Sequence, residues 1–141
     1  MERFKIGKIL KIVNNYMDKD INNCLSDYNI TRSQMGILIY IQVAECKNIE
    51  ANQVDIEKEF NLKNPTVTGL INRLEEKGYI KRVRSDKDKR YNKLELTESG
   101  REILNKGKRK AQENEEKLLK ILTDDEIKEL KRILTKIVNN I

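Results

Sequence analysis

The residues of this sequence that are best suited to chemistry are basic, amide and hydroxyl side chains between residues 60 and 93. Segment 77–93 holds eight basic and two acidic residues, an excess of six that equals the net charge of the whole 141-residue chain, +6. No acidic residue stands between Phe60 and Leu74, although acids are common elsewhere. Such a localised excess of positive charge indicates a surface that binds phosphates. Taken alone, the segment would be interpreted more simply as a solvated charged turn.

Several other chemistries are excluded by what the sequence lacks. It contains no histidine, which rules out Ser-His and Cys-His catalysis and histidine-ligated metal sites. Two cysteines, Cys24 and Cys46, are too few for a structural zinc site. There is no glycine-rich phosphate loop, no clustered carboxylate pair and no apolar run of membrane length. We therefore expect a cytoplasmic protein that is not an enzyme and has no cofactor, no metal and no membrane partner.

The elements that must position the basic groups are predicted from apolar periodicity and helix caps. Helices are expected over 4–28, from 32 to about 45, near 53–60, from 65 to 77, from 98 onward and from 124 onward, with strands at 79–84 and 91–96. Thr31 with Gln34, and Thr123 with Glu126, predict two capping boxes. Asn64 is predicted as the N-cap of the fourth helix, with Pro65 at its first position. The second helix is expected to bury Met35, Leu38, Ile39, Ile41 and Val43.

Two short helices joined by a tight turn and followed by a hairpin with a basic tip predict a winged helix-turn-helix. The fold class is therefore mainly α with a small β-hairpin wing, and the second helix of the pair would enter the major groove of DNA. The residues predicted to contact DNA from this recognition helix are Asn64, Pro65, Thr66, Thr68, Gly69, Asn72 and Arg73. Those predicted in the wing are Arg82, Arg84, Lys87, Asp88, Lys89 and Arg90.

Within the wing, Asp88 stands two residues before Arg90 and is expected to hold its guanidinium. Held in this way, Arg90 could enter a narrow, electronegative minor groove. The alternative is a surface ion pair that has no role in binding.

Amphipathic helices at the two ends of the chain predict a homodimer, since one small domain has little core against which to bury both. The predicted interface residues are Ile9, Val13, Ile127, Leu130, Leu134, Ile137 and Val138. Packing of the two helices on each other within one chain is the alternative. The predicted organisation is an N-terminal dimerisation helix over 1–30, a DNA-binding domain over 31–97 and dimerisation helices over 98–141. Two recognition helices predict a pseudo-palindromic operator with half-site centres about 10–10.5 base pairs apart.

Taken together, these motifs resemble the MarR family of bacterial transcriptional regulators over essentially the whole chain. The resemblance is carried by Pro65 to Thr68 running into 72–80, by 88–90 followed by 94–100, and by Ile30 to Gln34. It implies a homodimer joined through the first, fifth and sixth helices, most often a repressor. It also implies a small-molecule or redox signal read near the junction of the dimerisation and DNA-binding regions. Glu57 and Lys89 depart from the family pattern, which often has a small residue and an arginine there.

Candidate effector and redox residues have structural alternatives. Tyr16, Met17 and Tyr40 could line a cavity for an aromatic small-molecule effector, but core packing explains them equally well. Cys24 could sense oxidants, although its place on an apolar stripe favours a buried structural cysteine. The alternative function is a winged-helix module that contacts only proteins, against which the concentrated charge of segment 77–93 argues.

Overall fold

The computed structural model describes residues 5–141 and has the mainly α fold with a β-hairpin wing predicted from the sequence. Phe4, expected to start the first helix, lies outside the described residues. No helix within 5–141 is long and apolar enough to cross a membrane. The elements, in chain order, are α1 (Ile6–Asp27), α2 (Arg32–Cys46), α3 (Gln53–Phe60), α4 (Asn64–Glu76), β1 (Ile80–Arg84), β2 (Asn92–Leu96), α5 (Glu98–Leu119) and α6 (Asp124–Val138).

Local capping signals determine where several helices begin. Thr31 accepts a hydrogen bond from the backbone N–H of Gln34, whose side chain accepts one from the N–H of Thr31, both at 3.2 Å. Thr123 and Glu126 make the same reciprocal pair at the start of α6, at 3.2 and 3.0 Å. Both predicted capping boxes are confirmed. Each satisfies two N–H groups that would otherwise lack a partner at the end of a helix.

The start of α4 differs from the prediction by one residue. The N-cap is Lys63, which has extended backbone and no side-chain cap, so that Asn64 is the first helical residue and Pro65 the second. The prediction that Asn64 caps this helix was wrong because its side chain has another partner. Its amide donates to the carboxylate of Glu57 in α3 at 2.8 Å.

The chain divides into two compact units, residues 22–108 and a second unit made of residues up to 21 with 109–141. Helices α1 and α5 each contribute to both units. The division therefore falls within helices. The functional boundaries predicted between residues 30 and 31 and between residues 97 and 98 stay predictions.

In unit 22–108 the core is apolar and joins α2, α3, α4 and the wing through residues such as Leu38, Ile41, Ile56, Ile71, Leu74 and Ile80.

Two residues of α2 expected in the core are not buried. Ile39 is 43% exposed and Val43 is 44% exposed. They lie four residues apart on the same face of the helix. The burial predicted for Met35, Leu38 and Ile41 is confirmed, and α2 also buries Ile37 and Ala44. Because α2 is apolar on several faces, its periodicity did not identify which face lies inside.

The wing is a two-stranded antiparallel sheet in which Ile80 pairs with Leu96 and Arg84 with Asn92. An isolated bridge between Ala51 and Leu94 adds a one-residue strand from the segment before α3. The junction of β2 with α5 is tight, because a Cβ at Gly100 would overlap the backbone carbonyl of Tyr79. Glycine is thus required for α5 to begin beside the start of the wing.

In the second unit, helix α6 has no buried residue. Its apolar stripe, that of α1 and the end of α5 line a groove of about 410 Å³, to which Ile9, Val13, Met17, Leu118, Ile127, Leu130 and Leu134 contribute. Asn114 of α5 is buried and donates to the backbone carbonyl of Met17 at 3.0 Å. The apolar face of α6 is therefore partly exposed in the single chain, from 37% at Leu130 to 65% at Val138.

Candidate nucleic-acid interface

Helix α4 separates a buried apolar face from an exposed polar one. Val67, Leu70, Ile71 and Leu74 are buried, which fixes the rotation of the helix on the core. The residues predicted to contact DNA lie outside that face: Asn64, Pro65, Thr66, Asn72 and Arg73 are exposed, and Thr68 and Gly69 are half-buried. The helix therefore presents amide, hydroxyl and guanidinium groups on one surface, and these groups can bond to base edges and phosphates.

The tip of the wing contains the predicted contact between Asp88 and Arg90. Arg90 donates from Nε to Asp88 Oδ1 at 3.1 Å and from Nη2 to Oδ2 at 2.9 Å, and its backbone N–H also reaches Oδ1 at 3.1 Å. These bonds lower the pKa of Asp88, the side chain of Arg90 being the larger cause and its backbone N–H the second. The guanidinium of Arg90 is oriented, yet its side chain stays 82% exposed.

The base of the turn is held by a carboxylate that the sequence interpretation missed. Glu50 accepts from the Ser85 hydroxyl at 2.5 Å and from the backbone N–H of Asp86 at 3.1 Å. Ser85 is buried, and its oxygen in turn accepts from the N–H groups of Lys87 and Asp88. The hydrogen bond from Ser85 is the main cause of a lowered pKa for Glu50. Glu50 and Ser85 are 35 residues apart, so no local sequence pattern indicates this contact.

Arg82, predicted as a DNA contact, joins the wing to the recognition helix. Its Nη2 donates to Asn72 Oδ1 at 2.5 Å, and its Nε lies 3.5 Å from a carboxylate oxygen of Glu75. Because an amide oxygen accepts and an amide nitrogen donates, this contact uses the oxygen of Asn72 and leaves its NH₂ group available to donate. The other predicted cations of the wing, Arg84, Lys87 and Lys89, are not buried.

A second set of polar contacts joins α3 to the first two turns of α4. Gln53 Nε2 donates to the hydroxyl oxygen of Thr68 at 2.7 Å and to Glu57 Oε1 at 3.3 Å. Glu57 Oε1 also accepts from Asn64 Nδ2. The Thr68 hydroxyl in turn donates to Asn64 Oδ1 at 3.5 Å. Glu57 departs from the family pattern in the sequence, but no sequence signal indicates its contact with Asn64.

The candidate effector and redox residues lie in separate places. Tyr40 lines a cavity of about 470 Å³ between α2 and α3, where its ring meets that of Phe60 edge to face at 6.2 Å. Burial is the main cause of a raised pKa for Tyr40, followed by Asp55 and Glu59. Tyr16 and Met17 belong to the other unit, where Met17 lines the apolar groove and Tyr16 is exposed. Cys24 is half-buried and Cys46 is exposed.

No cluster of three or more acidic or cysteine side chains suited to a metal ion occurs within residues 5–141.

Comparison with known proteins places this geometry among transcriptional regulators. A family model described as "Transcriptional regulator SarA/Rot" matches residues 19–106. The multiple antibiotic resistance protein MarR of Salmonella typhimurium is 32% identical over 138 residues, which cover 97% of this chain and 93% of that protein. A structure of a mutant of S. aureus MepR aligns with a TM-score of 0.83 and 26% identity, covering 96% of this chain and 98% of that one. An S. aureus MepR–DNA complex aligns with a TM-score of 0.77 and 26% identity, covering 94% and 97%.

Proposed function

Because this chain belongs to the MarR family of transcriptional regulators, we propose that it binds double-stranded DNA sequence-specifically and represses transcription. The observation that carries the proposal is that the exposed polar face of α4, which has no acid from Asn64 to Leu74, and the cationic wing lie in one compact unit. The structure of MepR with DNA supports it, since that protein shares the fold. The family relatives named above are regulators rather than enzymes.

In this proposal α4 lies in the major groove of the operator. Arg73 bonds to a guanine edge or to a phosphate, and the NH₂ group of Asn72 donates to base acceptors. Thr66 contacts the phosphate backbone from the first turn. Gly69 carries no side chain, and nothing lies within 4 Å of where its Cβ would be, so DNA can approach the helix closely there.

The wing lies over the neighbouring minor groove. Arg90, oriented by Asp88, inserts its guanidinium into the groove, and Arg84, Lys87 and Lys89 lie near the flanking phosphates. Arg82 acts differently from these, because it fixes the wing against α4 and so sets the spacing between the two contacts.

The protein acts as a homodimer joined through its terminal helices. The support is the exposed apolar stripe of α6, where Leu130 and Leu134 are 37% and 39% exposed and Ile137 and Val138 more so. Changing Leu130 and Leu134 together to Asp would place charges in an apolar interface, at a cost of roughly several kcal/mol. We expect that variant to be monomeric or unfolded and to lose DNA binding. A variant that remains a dimer by light scattering would exclude α6 from the interface.

A selection from random duplex DNA followed by a gel shift tests the function directly. We expect a pseudo-palindromic site with half-site centres about one helical turn apart. Inserting five base pairs between the half-sites rotates one of them out of phase and should greatly weaken binding. Unchanged affinity after the insertion would refute two-fold docking. A protein that binds no duplex would instead be a winged-helix module for protein contacts.

Repression is relieved by an apolar small molecule. Tyr40 is the best supported of the three candidate residues, because its cavity has the size and the mixed apolar and polar lining of ligand sites. Met17 and Tyr16 remain candidates in the other unit. A ligand that releases DNA from the parent but not from a Tyr40→Ala variant would assign the effector to this cavity.

A redox signal through Cys24 is the competing proposal. Its half-buried thiol would have to become accessible to the oxidant. Peroxide that releases DNA from the parent but not from a Cys24→Ser variant would favour it over a small-molecule effector.

A further inference from the structure

Glu57 lies where helix α3 meets the proposed DNA-binding face of α4. Its Oε1 accepts from the amide of Asn64 at 2.8 Å and from that of Gln53 at 3.3 Å, and Gln53 also donates to the Thr68 hydroxyl at 2.7 Å. Two side chains of the first two turns of α4 are therefore held from α3 by a network built around one carboxylate.

The network fixes which groups Asn64 and Thr68 present outward. A carboxylate only accepts hydrogen bonds, so the amide of Asn64 must turn its NH₂ group toward Glu57, which leaves its second N–H for another partner. The hydroxyl oxygen of Thr68 accepts from Gln53, and its hydrogen is donated to Asn64 Oδ1 at 3.5 Å. Without Glu57, the amide of Asn64 could present either end to a base edge.

Glu57 also places a negative charge beside the first part of α4, where no acidic residue occurs between Phe60 and Leu74. The described contacts of its carboxylate are with amides, which do not neutralise the charge. A carboxylate beside a DNA-binding surface repels phosphates whatever the sequence, and this lowers the affinity for non-specific DNA. At a specific site, hydrogen bonds to bases offset the repulsion.

We propose that Glu57 is a specificity-determining positioning residue, which orients Asn64 and Thr68 toward base edges and disfavours binding to non-specific DNA. This inference rests on the proposed function as a DNA-binding regulator. It assigns a role to α3, which by itself is predicted to contact no DNA.

The test compares the parent with Glu57→Gln and with Glu59→Gln, a matched control that removes the same charge from the same helix outside the network. Fluorescence anisotropy measures binding to the duplex selected by the parent and to a scrambled duplex at several salt concentrations. We expect Glu57→Gln to bind scrambled DNA about threefold to tenfold more tightly, with a salt slope steeper by up to about one per chain. The selected duplex gains equally from the lost charge but loses the fixed orientation of Asn64, because a glutamine amide can meet it with either end. The ratio of selected to scrambled affinity should therefore fall about tenfold, whereas Glu59→Gln should keep the parent's ratio.

A Glu57→Asp variant separates orientation from charge. The shorter carboxylate keeps the charge but withdraws from Asn64, so binding to the selected duplex should weaken while binding to scrambled DNA stays as in the parent. It also serves as the test if Glu57→Gln does not fold.

Two failures are distinguishable. If the parent does not discriminate between any duplexes, the proposed function is overturned and this inference with it. If the parent discriminates and the Glu57 variants keep its ratio and its salt slope, the inference alone is overturned.

Discussion

Replacing Arg90 by alanine removes an oriented and exposed cation from the tip of the wing. Asp88 holds the guanidinium through two side-chain contacts of 2.9 and 3.1 Å, yet the arginine side chain is 82% exposed. Because its rotamer is already restricted, little side-chain entropy remains to be lost when DNA binds. The same pair is exposed to solvent, so its removal should leave the thermal unfolding midpoint nearly unchanged.

The expected change in DNA binding follows from counterion release. Each phosphate that a protein neutralises contributes about 0.9 to the slope of log affinity against log salt concentration. A homodimer supplies two Arg90 side chains, so the slope should fall by about 1.8 in the variant. Between about 50 and 200 mM salt, the affinity of the parent should then decrease about 12-fold more than that of the variant. At low salt, we expect Arg90→Ala to bind the operator more than tenfold more weakly.

Fluorescence anisotropy at four or more salt concentrations measures both quantities. Arg132→Ala is the matched control, since Arg132 makes a comparable two-point contact with Glu129, at 3.0 and 2.6 Å, on α6 rather than on the wing. That control should keep the parent's slope, and Asp88→Asn should weaken binding less than Arg90→Ala because the cation remains. Operator binding by Arg90→Ala that matches the parent at every salt concentration would refute a DNA contact by the wing.

Three further predictions concern the unit that carries the wing. Gly100→Ala should destabilise the protein by about 1–3 kcal/mol in denaturant unfolding, because the added methyl overlaps a backbone carbonyl. Gly69→Ala is the control, because the space at its Cβ is open, and it should stabilise the protein by about 0.5–1 kcal/mol. Equal effects of the two substitutions would contradict the tight junction between β2 and α5. Thr31→Ala should cost about 1 kcal/mol through loss of the capping box, and no measurable change would show that α2 does not need it. The amide proton of Asp86 should titrate with Glu50 in NMR spectra at a midpoint below the ordinary value of 4.5. Because the pKa of Glu50 is lowered in the folded state, its ionised carboxylate stabilises the fold at pH values above 4.5, and this stabilisation is lost as the pH falls through the pKa of the folded state. The contact should therefore persist at neutral pH, and a midpoint at or above 4.5 would contradict it.

The features predicted correctly from the sequence are contacts between residues close along the chain. Thr31 with Gln34 and Asp88 with Arg90 are three and two residues apart, and backbone geometry within one turn brings such pairs together. Apolar periodicity likewise located the helices, because one face of each packs on a core. Even so, a local signal failed at Asn64, where a carboxylate from another helix bound the side chain expected to form the cap.

The contacts that were missed join residues far apart in the sequence. Glu50 and Ser85 are 35 residues apart, and Arg82 and Asn72 are ten apart. Whether such residues meet in space depends on how α3, α4 and the wing pack together, and neither apolar periodicity nor helix capping contains that information. The charge count identified the wing as basic but could not tell that Arg82 faces α4 whereas Arg90 faces solvent.

Because α6 has no buried residue in the single chain, the stability of this protein in the cell should depend on its concentration. If the stripe of α6 is covered by a second copy, folding stability contains a mass-action contribution that grows with protein concentration. An unpaired protomer exposes a long apolar helix face, the kind of surface that leads to aggregation or removal by cellular quality control. At low expression the number of dimers then rises with about the square of the number of chains. Two-fold changes in gene dosage would therefore change operator occupancy more than proportionally, with no change in the affinity for DNA.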